Sequence, residues 1–430
     1  MKKAIRIRIY PDGEETAYIN RLLGCCRFLY NKCLEFRKES YGDEGKGVGP
    51  TQTLNHITPL KDEFPFLREV HSKVLQQSVR DLNTAYDNFF KHHYGYPKYK
   101  SRRDNEQSCR FPKDAFMGVR GNRIDIIKPL KDILFRCSRR DEKYLNKRQD
   151  SVQNLTLIRT KAGQYYLSVL VDFHPEKKPD TGSVIGIDLG VKDFIVDSNG
   201  NRYDNRRVYA KDEAKLKRLY RQISRKGMVP TGEMAFSEKY GRMLEMKKPS
   251  RNREKARIRL AKFQEDIANR RKQYIQELTS MLVDENQVIC IEDLNVKGMM
   301  ANHKLAKCIQ DVSFGEFVRV LEYKCNMYGR TLVRVDRFYP SSKTCSHCGH
   351  VNRNLTLSDR EWVCPECGAL IDRDYNAAVN ILNEGLRIIG LSSPEFTPVD
   401  CPTMDDRLSD EALKSSGRLK QEKNDIHDFL

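Results

Sequence analysis

Apolar and basic residues alternate along Ala4-Ile-Arg-Ile-Arg-Ile-Tyr10, the period of a strand with one buried and one cationic face, and Pro11 ends it. The period then lengthens. From Glu14 to about Tyr41, Ile19, Leu22, Leu23, Cys26, Leu29, Tyr30 and Cys33 recur at three and four. Beyond a glycine-rich stretch at 42–50, Val70, Leu75, Val79, Leu82, Tyr86 and Phe90 repeat the pattern, so both segments are predicted helices. Residues 95–175 return to short β-type runs at Ser108–Pro112, Asn122–Ile127, Leu155–Arg159 and Tyr165–Val171, with a Lys161-Ala-Gly-Gln164 turn between the last two. They predict a small barrel or sheet that takes in the first strand.

A third organisation begins at Ser183. Val184-Ile-Gly-Ile-Asp188-Leu-Gly190 reads as a buried strand ending in a carboxylate, and Phe194–Tyr203 as a second strand turning through Asn199-Gly200, a strong hairpin dipeptide. Residues 206–226 and 250–285 read as basic helices, the second with Ala256, Leu260, Phe263, Ile267, Tyr274, Leu278 and Met281 spaced near seven. Met228–Ser237 interrupts this basic stretch. Gln287-Val-Ile-Cys-Ile-Glu292-Asp293-Leu is another buried strand ending in acids, Thr331–Val335 another strand, and Asn376–Leu386 a closing helix.

Charge adds a partner. The 430 residues carry 77 Lys+Arg against 59 Asp+Glu, a formal +18. Residues 391–430 hold nine acidic and five basic residues, which leaves +22 on residues 1–390. Bases also cluster where aromatics interleave, as in Tyr94-Gly-Tyr96-Pro-Lys98-Tyr99-Lys100, which points to nucleic acid. Candidate contacts are Tyr96, Lys98 and Lys100, the helix face bearing Lys73, Gln76, Gln77 and Arg80, and the later helix face with Arg251, Arg253, Lys255, Arg257, Arg259, Arg270 and Arg271. A polar helix face is otherwise simply solvated. There is no long apolar run and no charged-then-apolar leader, so neither a membrane span nor a secretory signal is expected, and the chain is placed in the cytoplasm or nucleoid.

Two constellations carry chemistry. Cys345-Ser-His-Cys348 and Cys364-Pro-Glu-Cys367 form matched C-x2-C pairs fifteen residues apart, each followed by a glycine, Gly349 and Gly368. Four thiolates in tetrahedral array suit Zn²⁺, and a filled shell is structural. The other nine cysteines are scattered and read as reduced thiols. Asp188, Glu292 and Asp374 stand at strand or helix ends, the arrangement that holds two Mg²⁺ about 4 Å apart for phosphodiester cleavage. Each has another reading: Asp188 caps a turn, Asp374 caps the last helix, and Glu292 and Asp293 compete, since a strand doublet sends one acid to each face. Together they lie on a strand–hairpin–strand–helix–strand order typical of RNase H-like nucleases.

Gly186-Ile-Asp-Leu-Gly-Val-Lys-Asp-Phe194, Ile291-Glu-Asp-Leu-Asn-Val-Lys-Gly-Met299, the cysteine ribbon and Asp372-Arg-Asp-Tyr-Asn-Ala-Ala-Val-Asn-Ile381 closely resemble the TnpB (OrfB) family of insertion-sequence proteins. Gly95–Lys100 and Ser108–Pro112 resemble that family's N-terminal half, so the likeness spans nearly the whole chain. It implies a split RuvC-like nuclease whose acids are Asp188, Glu292 and Asp374, the likeness choosing Glu292 over Asp293. It implies a guide RNA from the protein's own locus, a short adjacent motif in duplex target DNA, and cutting of the DNA paired to the guide. The Lys73–Arg80 helix resembles the one that meets the adjacent motif.

The implied fold is multidomain α+β, with a helical lobe and small β-barrel followed by an RNase H-like α/β nuclease with an inserted zinc ribbon. Its expected parts are a first wedge-barrel strand (1–13), a helical recognition lobe (14–94), a wedge barrel (95–180), the RuvC-like nuclease with basic helices (181–340), the ribbon (341–371), a last nuclease segment (372–390) and a disordered tail (391–430). The rival functions are a compact type V CRISPR effector, a guide-independent nuclease or transposase, and a binding-only repressor.

Overall fold

The computed structural model describes residues 1–391 except 46, 105, 176, 238–241 and 357. The tail expected to be disordered therefore lies, from 392 on, outside the described residues. The chain clusters into two compact units: Met1–Thr181 with Arg206–Glu285 and Val296–Arg330, and Gly182–Asn205 with Asn286–Asn295 and the segment from Thr331.

In the first unit, β1 (Lys2–Tyr10) buries Ile5, Ile7 and Ile9 and turns its bases outward, with the Arg6 guanidinium 4.2 Å from the Tyr166 ring centre. α1 (Gly13–Glu44) starts on a capping box, in which Asp12 and Glu15 each accept the other's backbone N–H at 2.8 Å, and it stops at Gly45 in the left-handed region. After two short helices, α2 (Pro50–Asn55) and α3 (Ile57–Glu63), the amphipathic α4 (Ser72–His92) buries Val74, Leu75, Val79, Leu82 and Tyr86 and packs on α1. Next come β2 (Glu106–Pro112), β3 (Gly118–Arg120), β4 (Arg123–Asp125), β5 (Ile133–Arg136), α5 (Arg139–Lys147), β6 (Val152–Thr160) and β7 (Tyr165–Asp172). These strands form a seven-stranded antiparallel sheet, β2-β6-β7-β1-β5-β4-β3, and share one core with α1 and α4. Of the barrel or sheet expected here, the hydrogen bonding among the described residues gives the strand order of a sheet with β2 and β3 at its ends.

The second unit begins with β8 (Val184–Leu189), β9 (Asp193–Asp197) and β10 (Arg202–Asp204), an antiparallel meander whose Asn199-Gly200 turn places Gly200 at φ +86°. α6 (Val208–Ser224) and α7 (Arg251–Glu285) belong to the first unit and enclose a hairpin of β11 (Met228–Ser237) and β12 (Arg242–Pro249). Along α7 the core side chains are Ala256, Leu260, Ile267, Ile275, Leu278, Leu282 and Val283, while Tyr274 and Met281 are half-buried. A repeat of seven drifts on a helix of 3.6 residues per turn, so the stripe slips by one position in the C-terminal half.

β13 (Val288–Glu292) pairs parallel with β8 in the second unit. α8 (Val296–Ala301), α9 (His303–Val312) and α10 (Phe314–Tyr328) lie in the first unit, and β14 (Thr331–Val335) extends the second unit's sheet to β10-β9-β8-β13-β14. The ribbon contributes β15 (Glu361–Val363) and β16 (Leu370–Asp372), and α11 (Arg373–Ile388) closes the unit.

α11 lies flush on the sheet, with Ile381, Leu382 and Leu386 packed against Val288, Cys290, Val333 and Val335. Two glycines permit this approach. A Cβ on Gly186 would collide with the Ala378 carbonyl and come within 2.7 Å of Leu382, and one on Gly385 would collide with Cys290.

Candidate active site and metal centre

Asp188 is the penultimate residue of β8, and Glu292 the last of β13. Ile187 pairs with Ile291, so Asp188 and Glu292 take the next step of the parallel register and share a face. Gly186, two residues before Asp188 and on the same face, lies beneath Ala378 and Leu382 of α11. Asp374 is one helical turn before Ala378. Of the carboxylates that act on Asp188, Asp374 acts most strongly.

The electrostatics agree with this placement. Burial first, then Asp374, then Glu292, push the Asp188 carboxyl up to about 7, against a smaller lowering by Arg373. Burial and then Asp293 raise Glu292. Asp374 is held by two guanidiniums, Arg360 at 3.1 Å and Arg373 at 3.2 Å. The N-cap of α11 is Asp372, not Asp374: its carboxylate accepts from the Tyr375 N–H at 2.9 Å and is bridged by Arg202 at 2.7 Å. Asp293 is tied to Arg337 and Arg334. Within the doublet, then, Asp293 is tied to arginines, and Glu292 is the acid whose charge acts on Asp188. Asp188 thus has two carboxylates whose charge acts on it, and oxygen ligands of this kind suit a hard cation such as Mg²⁺. Among the described residues, the side chains whose ligand atoms come within 4.8 Å of one another are the four cysteines.

Cys345, Cys348, Cys364 and Cys367 bring their four sulfurs within 4.8 Å of one another. The Cys345–Cys367 and Cys348–Cys364 separations are 3.7 and 3.5 Å, close to the edge of about 3.8 Å that four sulfurs 2.3 Å from a zinc would have. Burial alone would raise the Cys364 thiol, but the N–H groups of Cys367 and Glu366 and the neighbouring thiols bring it below the ordinary range. Leu355, Trp362 and Ile371 back the cluster. Gly349 and Gly368 both take positive φ, and each donates its N–H to the carbonyl of the first cysteine of its pair, Cys345 and Cys364, at 2.9 Å. Among the described residues outside the ribbon, Cys25, Cys26, Cys33, Cys109, Cys290 and Cys325 are buried free thiols, Cys137 is half-buried and Cys308 exposed.

The proposed nucleic-acid contacts divide into free and engaged side chains. Gln76, Arg80, Lys98 and Arg251 are exposed. Lys73 pairs with Asp114, Gln77 donates to Asp81 at 3.2 Å, and Arg257 lies 3.5 Å from Glu254. Tyr96 is exposed but shares a 2.9 Å hydroxyl contact with Tyr86. Lys100 tucks its ammonium over the Tyr30 ring at 4.1 Å, and Asn31 clamps its backbone on both sides. Arg253 donates to the Ile223 and Lys226 carbonyls at 2.8 and 2.5 Å, closing the C-terminus of α6. Arg202, Arg360 and Asp372 were not singled out from sequence. Asp372 had a local signal, an Asp three residues before the Tyr375 N–H it caps; Arg202 and Arg360 had none.

Known proteins resemble this chain in sequence and in fold. Residues 1–46 match the helix-turn-helix domain of OrfB of IS605, residues 233–303 the family described as "Probable transposase" of the same OrfB, and residues 314–381 the Cas12f1-like TNB domain. A Streptomyces pristinaespiralis protein provisionally named an RNA-guided DNA endonuclease is 37% identical over 388 residues, 90% of each chain. This chain belongs to the TnpB (OrfB) family. A protein of Escherichia coli K12 with the same provisional name, InsQ, is 27% identical over 410 residues, 90% of this chain and 93% of its own. A solved Cas12f1–sgRNA–target DNA complex has a TM-score of 0.51 at 18% identity, covering 86% of this chain and 83% of that one, a likeness of fold with mixed α and β content. Among the described residues, no helix of this TnpB-family chain is long and apolar enough to cross a membrane.

Proposed function

We propose that this protein is an RNA-guided DNA endonuclease that binds a guide RNA from its own locus and cuts target DNA beside a short adjacent motif. Membership of a family whose relatives carry that name supports the activity. What supports the chemistry is the influence of Asp374 and Glu292 on Asp188, which burial and these two neighbours push up to about 7. These carboxylates would hold Mg²⁺, which when bound supplies an activated water and stabilises the leaving oxygen. Asp188 and Glu292 orient the site from adjacent strands, and Asp374 completes it from the helix. Arg360 and Arg373 keep the third carboxylate from adding its full charge to the other two.

The remaining parts follow the same reading. The cysteine cluster is a structural zinc site. The sheet with β1 is the wedge, α1–α4 the recognition lobe, and the basic faces of α4 and α7 meet nucleic acid through their phosphates. The direct test is to purify the protein from cells carrying its locus and sequence the RNA that accompanies it. A discrete locus-derived species is expected, whereas random or absent RNA contradicts guided recognition.

A further inference from the structure

Asparagine is a poor residue for a helix interior, yet α11 buries two of them, Asn376 at 1% and Asn380 at 4% exposure, among Ala377, Ala378, Val379, Ile381 and Leu382. They lie one turn apart and face the same way. Each donates its amide to the same two carbonyls: Asn376 to Ser341 at 3.3 Å and Thr344 at 2.7 Å, Asn380 to Ser341 at 2.8 Å and Thr344 at 2.7 Å. The Asn376 carbonyl oxygen accepts from the Ser346 N–H at 2.9 Å. The two asparagines thus supply both carbonyls with two donors apiece, which matches the two lone pairs of each oxygen.

The partners matter for where they lie. Ser341 to Thr344 lead directly into Cys345, and Ser346 sits inside the first cysteine pair. The second half of the ribbon grips the helix start as well: the Arg373 N–H donates to the Arg360 carbonyl at 2.8 Å, the Arg373 guanidinium to the Asp359 carbonyl at 3.1 Å, and Arg360 to Asp374 at 3.1 Å. Asp374 stands between these two sets of ties. A helix terminus alone frays, whereas one fastened to a rigid metal-bound body does not.

We propose that Asn376 and Asn380 are positioning residues that make the cysteine ribbon the brace for Asp374, so that the ribbon's order sets the affinity of the three-carboxylate site for its divalent ion. The inference rests on the reading of Asp374 as a metal ligand given above. Removing one asparagine leaves the other on both carbonyls, so the ribbon keeps its zinc and the helix its fold. The first turn of α11 gains freedom, and the carboxylate with it.

The test uses the full-length protein as Asn376→Ala, Asn380→Ala and the isosteric Asn380→Asp, which keeps the shape but loses both donors, beside Asp374→Ala and wild type. Four quantities are read: Mn²⁺ affinity by electron paramagnetic resonance without nucleic acid, zinc per chain, affinity for the accompanying RNA, and amide exchange of residues 373–376. All three asparagine variants are expected to weaken Mn²⁺ binding by about ten- to a hundred-fold, as loss of outer-shell partners does, and to speed exchange at 373–376. Zinc content and RNA affinity stay at wild-type values. Wild-type Mn²⁺ affinity in the asparagine variants, with affinity lost in Asp374→Ala, overturns the brace but leaves the carboxylate site standing. Loss of zinc in the asparagine variants also overturns it, because the asparagines would then hold the ribbon's own fold. Undiminished Mn²⁺ affinity in Asp374→Ala removes the reading on which the brace depends.

Discussion

Asp188 is asked to be an anion among anions, and its titration exposes the cost. Its folded value of about 7 lies above the ordinary 3.8, so the fold favours the protonated acid. That contribution to stability is full below about pH 4 and is lost as pH rises through about 7. Metal-free protein should therefore unfold more easily at pH 8 than at pH 5, Asp188→Asn should flatten the slope, and added Mg²⁺ should restore stability at high pH. Protons and metal also compete for the same oxygens, so half-saturation should need about tenfold more Mn²⁺ for each pH unit below 7. A pH-independent Mn²⁺ affinity would contradict the raised carboxyl. A second prediction separates two arginines that look alike in sequence. Arg251 is exposed, so Arg251→Ala should reduce the salt dependence of nucleic-acid binding by about one phosphate contact. Arg253 closes α6, so Arg253→Ala should lower the melting temperature and leave that salt slope unchanged. The cysteines were legible because thiol ligands recur at fixed spacing, and the acids were read as ligands because they stand at strand and helix ends. What surrounds Asp374 was not legible, because Arg360 comes from 14 residues away, Arg202 reaches the neighbouring Asp372 from 170 residues away, and neither leaves a local pattern.

The ribbon is the element expected to depend most on a bound ion, since its core among the described residues is Leu355, Trp362 and Ile371 beside two cysteines. A cluster that small does not hold a fold without its metal. One zinc per chain is expected, and Cys364→Ser should lose it. Trp362 is the sole tryptophan and is buried in that core, so its emission reports the ribbon alone and should shift to the red in the variant. Active wild-type protein without zinc would contradict this. β1, α1, α4 and α7 were legible from their period, because an amphipathic element writes its buried face into the sequence. The hairpin of β11 and β12 was not. Its place was marked only as a break between helices, and the bulge between Pro230 and Met234 disturbs the alternation that identifies a strand. The sheet of β1 to β7 was legible as strands but not in its strand order, since pairing between β1 and β7 joins residues about 160 apart.

Each compact unit is assembled from three stretches of the chain, and sequence reading, which draws contiguous segments, has no means of seeing that residues 206–285 and 296–330 cluster with residues 1–181. Charge was legible from composition and fits a polyanion partner. The family motifs were legible too, and the match over 90% of a relative bears them out. The reading joins these parts in one statement: nucleic acid is held by cationic surfaces and the guide, and cut by three carboxylates that contribute little to holding it. The decisive measurement compares wild type with Asp188→Ala, each loaded with the accompanying RNA, on a matched duplex, a mismatched duplex and a matched duplex with scrambled flanks. Both proteins should bind the matched duplex with the same affinity, and wild type alone should cut it, only in the presence of Mg²⁺ or Mn²⁺ and only with the native flank. Cleavage of all three duplexes alike, cleavage without RNA, or cutting by Asp188→Ala at the wild-type rate would contradict it.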